Sequence, residues 1–433
     1  MARKIIIIGL LLIFTLILFA QEKITLDFLI QKAMERSLSI EAELMNYKNQ
    51  QSSYKQSIYK WLPNAELKAG KSWANEEWQD ASGGFSANWG ISSNDVRYFD
   101  MKSQMIEMMN GDLSLEDMKK NIAFDVLSGY IDVLTENDLV KLQREVMAVE
   151  ERKYLRIETL QNLGEVNNLD LQQSAIDKIQ AEIGLNNLML SVENKRADLF
   201  YYIGIEDNGA ELADLDMEIN SQPQKYQPNL QFQIQQKTLE STKLMQDQTF
   251  MALLPTLSLN WSYSRSSTNG ITDFEDKGNH LTAIDSRLST DGITDFDLHS
   301  ENAGISLSIS YPVFNFLDNY QNLQIIKRQY AFNQRKLADQ KLSDMKELNS
   351  LNKSLDSQNR NYELYQLKAD LAERVMARAQ VEYEQGTINL LDYNEYQNKL
   401  YSARKDEISG RYRLLETQED INRKLSNKIL GKW

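Results

Sequence analysis

From Thr256 to Ser264 the chain alternates without a fault. Leu257, Leu259, Trp261 and Tyr263 hold one set of positions; Thr256, Ser258, Asn260, Ser262 and Ser264 hold the other. A period of two puts successive side chains on opposite faces of a β-strand. The pattern recurs in three other segments. Phe85, Ala87, Trp89 and Ile91 alternate with Ser86, Asn88, Gly90 and Ser92. Ile305, Leu307, Ile309, Tyr311 and Val313 alternate with Ser306, Ser308, Ser310 and Pro312. Ala65, Leu67, Ala69 and Trp73 alternate with Asn64, Glu66, Lys68 and Ser72, and Lys71 breaks the apolar row. Strands of about nine to eleven residues, apolar on one face and small and polar on the other, suit a membrane β-barrel. Half-buried strands of a soluble sheet share this pattern. The rest of the chain weighs for the barrel, because it reads as helix and leaves such a sheet no soluble partner.

Thr25 is a good N-cap for a short helix reaching Arg36, and a second helix is expected from about Ile40 to Trp61, stopped by Pro63. A helical stretch follows from about Val96 to Leu163, with Val126, Val133, Val140, Met147 and Tyr154 seven apart. Asn110-Gly111-Asp112 is a break signal inside it and predicts a kink or interruption. After a turn at Gly164, Asn167 can cap the next helix, with Asp170 at its third position, where an anion suits the helix dipole. Leu169, Ile176, Ile183, Leu190 and Ala197 are again seven apart. A strict seven-residue repeat keeps its seam aligned only in left-handed coiled coils. The acidic stretch with Gly209, Pro223 and Pro228 reads as irregular linker.

Then the plan repeats: a helix over 229–253, two strands around a long polar loop, a very long helix over 318–385, a turn at Gly386 and a last helix over 390–430. Leu62-Pro63 matches Leu254-Pro255, and Gly164-x-x-Asn167-x-x-Asp170 matches Gly386-x-x-Asn389-x-x-Asp392. The expected order is therefore a leader at 1–20, N-terminal helices at 21–62, strands at 63–94, a long helical hairpin at 95–203, a linker at 204–227, a helix at 228–254, strands at 255–314 flanking a loop at 266–302, and a second hairpin at 315–433.

Composition sharpens this plan. With 18 Gly and 5 Pro in 433 residues, long uninterrupted helices are favoured. The absence of Cys rules out disulfides, thiolate metal sites and thiol nucleophiles, and two His, His280 and His299, rule out histidine-rich metal sites. A net charge of −14 argues against a nucleic-acid partner, and most of the mixed charges read as solvated helix faces. No cofactor is expected. Acidic residues abound, yet no paired carboxylates sit in a recognisable catalytic context. Arg3 and Lys4, the apolar run Ile5 to Phe19, and Ala20 read as a secretory signal, with a short membrane anchor as the alternative.

Four strands cannot close a membrane barrel, for which about eight is the minimum. Open edges in lipid leave N–H and C=O groups unpaired at several kcal/mol each, so copies must share one barrel. A dimer would give eight strands with a filled interior, whereas a trimer gives twelve, enough for a pore. Residues 318–385 would span roughly 100 Å, and the helices on either side about 60 and 38 Å, so the shorter two stacked end to end match the long one. The fold class predicted is an α+β membrane protein: a trimeric 12-stranded β-barrel, four strands per chain, continuing into a long α-helical coiled-coil barrel with an internal duplication. Trp61, Trp73, Trp78, Trp89 and Trp261 lie in or beside the strands, where membrane-interface aromatics belong; core packing of strands is the competing explanation.

The two Leu-Pro-strand junctions, the segment Ile305 to Phe314, and the segment Tyr383-Glu-Gln-Gly-Thr-Ile-Asn-Leu-Leu-Asp-Tyr-Asn-Glu395 resemble the TolC-like outer-membrane factor family over nearly the whole mature chain. The resemblance implies a homotrimeric channel-tunnel in the outer membrane of a Gram-negative bacterium, with a large periplasmic extension. It would serve as the exit duct of a tripartite efflux pump or type I secretion system, docked to a periplasmic adaptor and an inner-membrane transporter. By position, Tyr383, Gly386, Asp392 and Glu395 would belong to the periplasmic gate. Asp170 would bond to Tyr383, and the turns at Gly164, Asn167, Gly386 and Asn389 would form the tip that meets the adaptor. Three copies of Asp392 and Glu395 around an axis would make a cation-favouring ring, unless Asp392 only caps its helix. Ile388 stands where the family has the gate's basic partner, the first repeat lacks a proline before its long helix, and no N-terminal Cys is available for lipidation. The alternative is a periplasmic coiled-coil structural or adaptor protein with a small soluble β-domain, which would explain the heptads and the signal but not the four alternations.

Overall fold

The computed structural model describes residues 23–70, 73–74, 77–78, 82–215, 223–267, 300–311, 313, 315–429 and 432. The expected leader, His280, His299 and most of the loop expected at 266–302 lie outside them. The helices are α1 (Leu26–Arg36), α2 (Leu38–Tyr59), α3 (Val96–Asn162), α4 (Asn168–Ile203), α5 (Leu230–Met251), α6 (Phe316–Glu384) and α7 (Leu390–Lys424). The strands are β1 (Asn64–Gly70), β2 (Trp73–Ala74), β3 (Glu77–Trp78), β4 (Ser82–Ser92), β5 (Thr256–Ser267) and β6 (Ser300–Ser310). Two compact units form: Met1–Met45 with Asp112–Ile234 and Ala338–Trp433, and Asn46–Gly111 with Gln235–Leu337.

The strand-bearing unit holds a four-stranded antiparallel sheet in the order β1-β4-β5-β6, and β2 and β3 pair as a separate two-stranded ribbon. Registers align the apolar positions into rows. Ile91 faces Leu259 and Leu259 faces Leu307; Trp89 faces Trp261 and Trp261 faces Ile305. The polar positions align equally well, with Ser92, Ser258 and Ser308 in one row and Gly90, Asn260 and Ser306 in the next. One face is thus apolar and the other lined by Ser and Asn. The apolar face is uncovered: Leu67, Ile305, Leu307 and Ile309 are all exposed. β5 and β6 reach Ser267 and Ser300, so the strands run further than the expected loop boundaries.

The helical unit is built on the seven-residue spacing. On α3, Val126 and Val133 are fully buried and Val140 nearly so. α1 buries Leu26, Leu29, Ile30 and Ala33, one stripe of an amphipathic helix, and Thr25 accepts a bond from the Phe28 N–H as its cap. A second cluster joins Leu348 and Leu355 of α6 to Leu414 and Ile421 of α7, each pair again seven apart. The stripe of α4 behaves otherwise. Leu169 is 71% exposed, and Ile176, Ile183 and Leu190 are exposed too, so this seam has no cover among the described residues.

The interruption expected at Asn110-Gly111-Asp112 does not occur: α3 runs through it. A Cβ at Gly111 would lie 1.9 Å from Gln50 Oε1, so the glycine makes room for a side chain of α2 rather than ending a helix. The last helix stops at Lys424, short of the expected Leu430.

Tyr130 is fully buried on α3, and its hydroxyl donates to the carbonyls of Ile24 (3.1 Å) and Ala213, either side of the parallel bridge Ile24–Leu212. Burial pushes its pKa up to about 12. An unfolded tyrosine ionises near 10, so above that pH the unfolded chain holds fewer protons than the folded one, and stability falls as pH rises from about 10 to 12. Burial also raises Tyr202 and Tyr412, each bonded to an aspartate. Tyr130→Phe is expected to flatten the alkaline fall in unfolding free energy while costing about 1–2 kcal/mol at neutral pH. Denaturant titrations from pH 8 to 12 check both; an unchanged alkaline slope would contradict the assignment.

Candidate functional site

The two helical turns share one backbone design. α3 ends with Gly164 at φ 79° and α6 with Gly386 at φ 73°, a left-handed conformation that glycine adopts without penalty. In the first turn the N–H of Glu165 donates to Leu160 and that of Gly164 to Gln161; in the second, Thr387 donates to Glu382 and Gly386 to Tyr383. Both are Schellman closures. Each following helix is capped alike: Asn167 Oδ1 accepts from the Asp170 N–H and Asn389 Oδ1 from the Asp392 N–H, both at 2.9 Å. The repeat read from Gly-x-x-Asn-x-x-Asp therefore extends to individual hydrogen bonds.

Tyr383, Asp170 and Asp392 are half-buried, whereas Glu395 is exposed and ion-paired to Lys399 at 2.5 Å one turn on. The Tyr383–Asp170 bond expected from the resemblance is not formed. Tyr383 stacks on Tyr393 with ring centroids 4.7 Å apart, and the Arg156 guanidinium lies 5.5 Å from the Tyr383 ring. Burial raises the Tyr383 pKa, Arg156 opposes the rise, and Asp170 adds to it through space. Ile388 offers no charge, and the basic group at this tyrosine comes instead from α3.

A buried polar network beside these turns escaped the sequence reading, which took such charges as solvated. The Lys153 ammonium contacts the Glu150 carboxylate, Asp177 Oδ2 at 3.3 Å and Asn394 Oδ1 at 2.8 Å. Asn394 Nδ2 donates to Asp177 at 2.8 Å, and Gln397 donates to Glu150. Lys153, Glu150 and Gln397 are buried. The network joins α3, α4 and α7, so it ties the first hairpin to the second. The i,i+3 pair Glu150/Lys153 was the only local signal, and such pairs are common on exposed helices.

Of the aromatics, Trp89 donates from Nε1 to the Trp61 carbonyl at 2.9 Å, and the Arg97 guanidinium stacks 4.8 Å from the Trp61 ring while bonding Asp95 and the carbonyls of Lys60 and Gly90. Asp95 is held below the usual carboxylate range by Arg97. These bonds fix the end of α2 to the start of α3 and to β4. Trp89 and Trp261 are register partners, as are Trp73 and Trp78. Trp261 is on the exposed apolar face. Among the described residues no group of acids and histidines could hold a metal ion, and no helix is long and apolar enough to cross a membrane.

The fold is shared with solved membrane proteins. A membrane protein from Pseudomonas aeruginosa superposes with a TM-score of 0.72 at 14% identity, covering 94% of this chain and 91% of its own. VceC, an outer membrane protein from Vibrio cholerae, gives 0.71 at 12%, covering 93% and 96%. The Campylobacter jejuni CmeC outer membrane channel gives 0.68 at 14%, covering 94% and 87%. A search of curated proteins returns no match. Residues 227–426 match the model of the outer membrane efflux protein family, a span that holds α5, the strands β5 and β6, and the second hairpin. That match falls on the repeat that carries Tyr383, Gly386 and Asp392, so this part of the chain is similar to the outer membrane efflux protein family.

Proposed function

We propose that three copies of this chain form a passive channel-tunnel in the outer membrane, the exit duct of a tripartite efflux pump or type I secretion system. The observation that carries this is the uncovered apolar sheet face between two open edges. β1 and β6 run in opposite directions, because three antiparallel pairings separate them. Copies joined β6 to β1 therefore stay antiparallel around a closed ring, turning the apolar face to lipid and the Ser/Asn face to the lumen. The exposed seam of α4 supports the same assembly, since a heptad stripe without a partner among the described residues of its own chain is suited to one from a neighbour. A soluble periplasmic coiled-coil protein would instead need a cover for both surfaces.

In this reading the turns at Gly164 and Gly386 meet a periplasmic adaptor, itself joined to an inner-membrane transporter. With Ile388 lacking a charge, the Lys153 network holds the second hairpin on the first when the duct is closed. Trp61, Trp73, Trp89 and Trp261 sit at the membrane interfaces. Of the two gate acids, Asp392 carries the cation preference, because Lys399 neutralises Glu395. Mass measurement in detergent is expected to give a trimer with single-channel conductance; a monodisperse water-soluble monomer would overturn the reading. Asp392→Ala is expected to weaken divalent-cation block of that current severalfold, with Glu395→Ala having the smaller effect, and block left intact by both would remove the acidic ring.

A further inference from the structure

A cavity of about 380 Å³ lies between α3, α6 and α7 in the helical unit. Leu142, Val146, Val149, Met376 and Leu400 give it an apolar floor, and the stacked pair Tyr383 and Tyr393 forms one wall. Six charged groups line the rest, and three of them, Glu145, Lys153 and Arg404, are ion-paired. Arg404 is paired to Glu145 and Glu373, and Lys153 to Glu150 and Asp177. Arg152 and Arg156, one helical turn apart, have no carboxylate partner among the described residues. Arg152 Nε donates to the Ala148 carbonyl of its own helix at 3.1 Å, and Arg156 lies over Tyr383. Glu384 is the remaining acid, and accepts from Gln380 at 3.3 Å.

The lining carries four cationic groups, Arg152, Lys153, Arg156 and Arg404, against two carboxylates, Glu145 and Glu384, and among the described residues Arg152 and Arg156 are the two of these cations with no carboxylate partner. Guanidinium forks recognise carboxylates in a bidentate manner, and phenol rings favour a flat aromatic partner. We infer that this cavity binds a small aromatic monoanion, its ring against the tyrosine wall and apolar floor and its carboxylate on Arg152 and Arg156. A neutral aromatic leaves the two guanidiniums without an anion, and a dianion meets Glu384.

The test is calorimetric titration of the purified detergent-solubilised protein with 2-naphthoate and, as its neutral counterpart, 2-naphthol. Naphthoate is expected to saturate one site per chain and to bind at least ~10-fold more tightly than naphthol, the gap of a charge-assisted hydrogen bond. The double variant R152Q/R156Q is expected to bring naphthoate down to the affinity of naphthol. Equal affinity for acid and neutral compound, no saturable binding, or naphthoate binding unchanged in R152Q/R156Q would each overturn the proposal. The acid-to-neutral comparison uses the unmodified chain, so it stands even where the double variant fails to fold. Neither readout depends on conductance, so its outcome is separate from the channel reading.

Discussion

Replacing Leu307 with Arg is expected to keep the protein out of the outer membrane, while Ser308→Arg, one residue on, is expected to leave insertion intact. Leu307 is 70% exposed on the apolar face of β6, opposite Leu259, in the row that also contains Ile91. Ser308 opposes Ser258 on the other face. In a barrel the first points to hydrocarbon and the second to water. A basic residue on the lipid face of a barrel strand costs from about 1 kcal/mol near an interface to about 2–4 kcal/mol at the midplane, and a trimer meets that cost once per copy. A lumen-facing arginine has no such penalty and changes only conductance and ion preference. Fractionation of cell envelopes and single-channel recording measure the two effects. Equal damage from both substitutions would mean that the faces are not divided between lipid and lumen. Normal membrane levels of Leu307→Arg would mean that the apolar face is covered by protein.

The second large effect is expected at Lys153. Its side chain is 5% exposed, and its ammonium is the cation that balances Glu150 and Asp177. Lys153→Met preserves much of the volume but leaves two carboxylates facing each other without it. Removing one partner of a buried ion pair typically costs about 3–5 kcal/mol, because the remaining charge has lost its water and gained nothing. The loss falls on the hairpin-to-hairpin contact, since Asn394 and Gln397 of α7 are held through the same groups. A lower denaturant midpoint for the helical signal and a raised open probability are expected together. Adding Glu150→Gln to Lys153→Met should recover a sizeable part of the lost stability by deleting one orphaned charge. A single variant as stable as the unmodified chain would show that the network is solvated after all.

Much of the plan was legible because its signals are local. Alternation in four segments anticipated the sheet, and the rows Ile91–Leu259–Leu307 and Trp89–Trp261–Ile305 are made of positions that alternation had already placed on one face. Caps are local too: Gly164, Gly386, Asn167 and Asn389 need only their neighbours within a turn to form the bonds observed. Gly111 shows the limit. A glycine between Asn and Asp looks like a break, yet the space it provides is for Gln50, about sixty positions earlier in the chain and on another helix.

The tip illustrates the same division. Motif spacing picked out Asp170 and Asp392 beside the turns and the family resemblance picked out Tyr383, but their actual contacts came from neither. Tyr383 was expected to bond Asp170 and instead meets Tyr393 and Arg156. The Lys153 network links residues up to 247 positions apart, and its members look like ordinary solvated helix charges until α7 is laid on α3 and α4. By itself the sequence determined the strand faces, the helix caps and the duplication, because each follows from backbone geometry repeated over a few residues. Which charged groups are buried, and which apolar seams stay bare, only the tertiary structure decided. Burial depends on what distant segments bring alongside, and no periodicity within a helix records it.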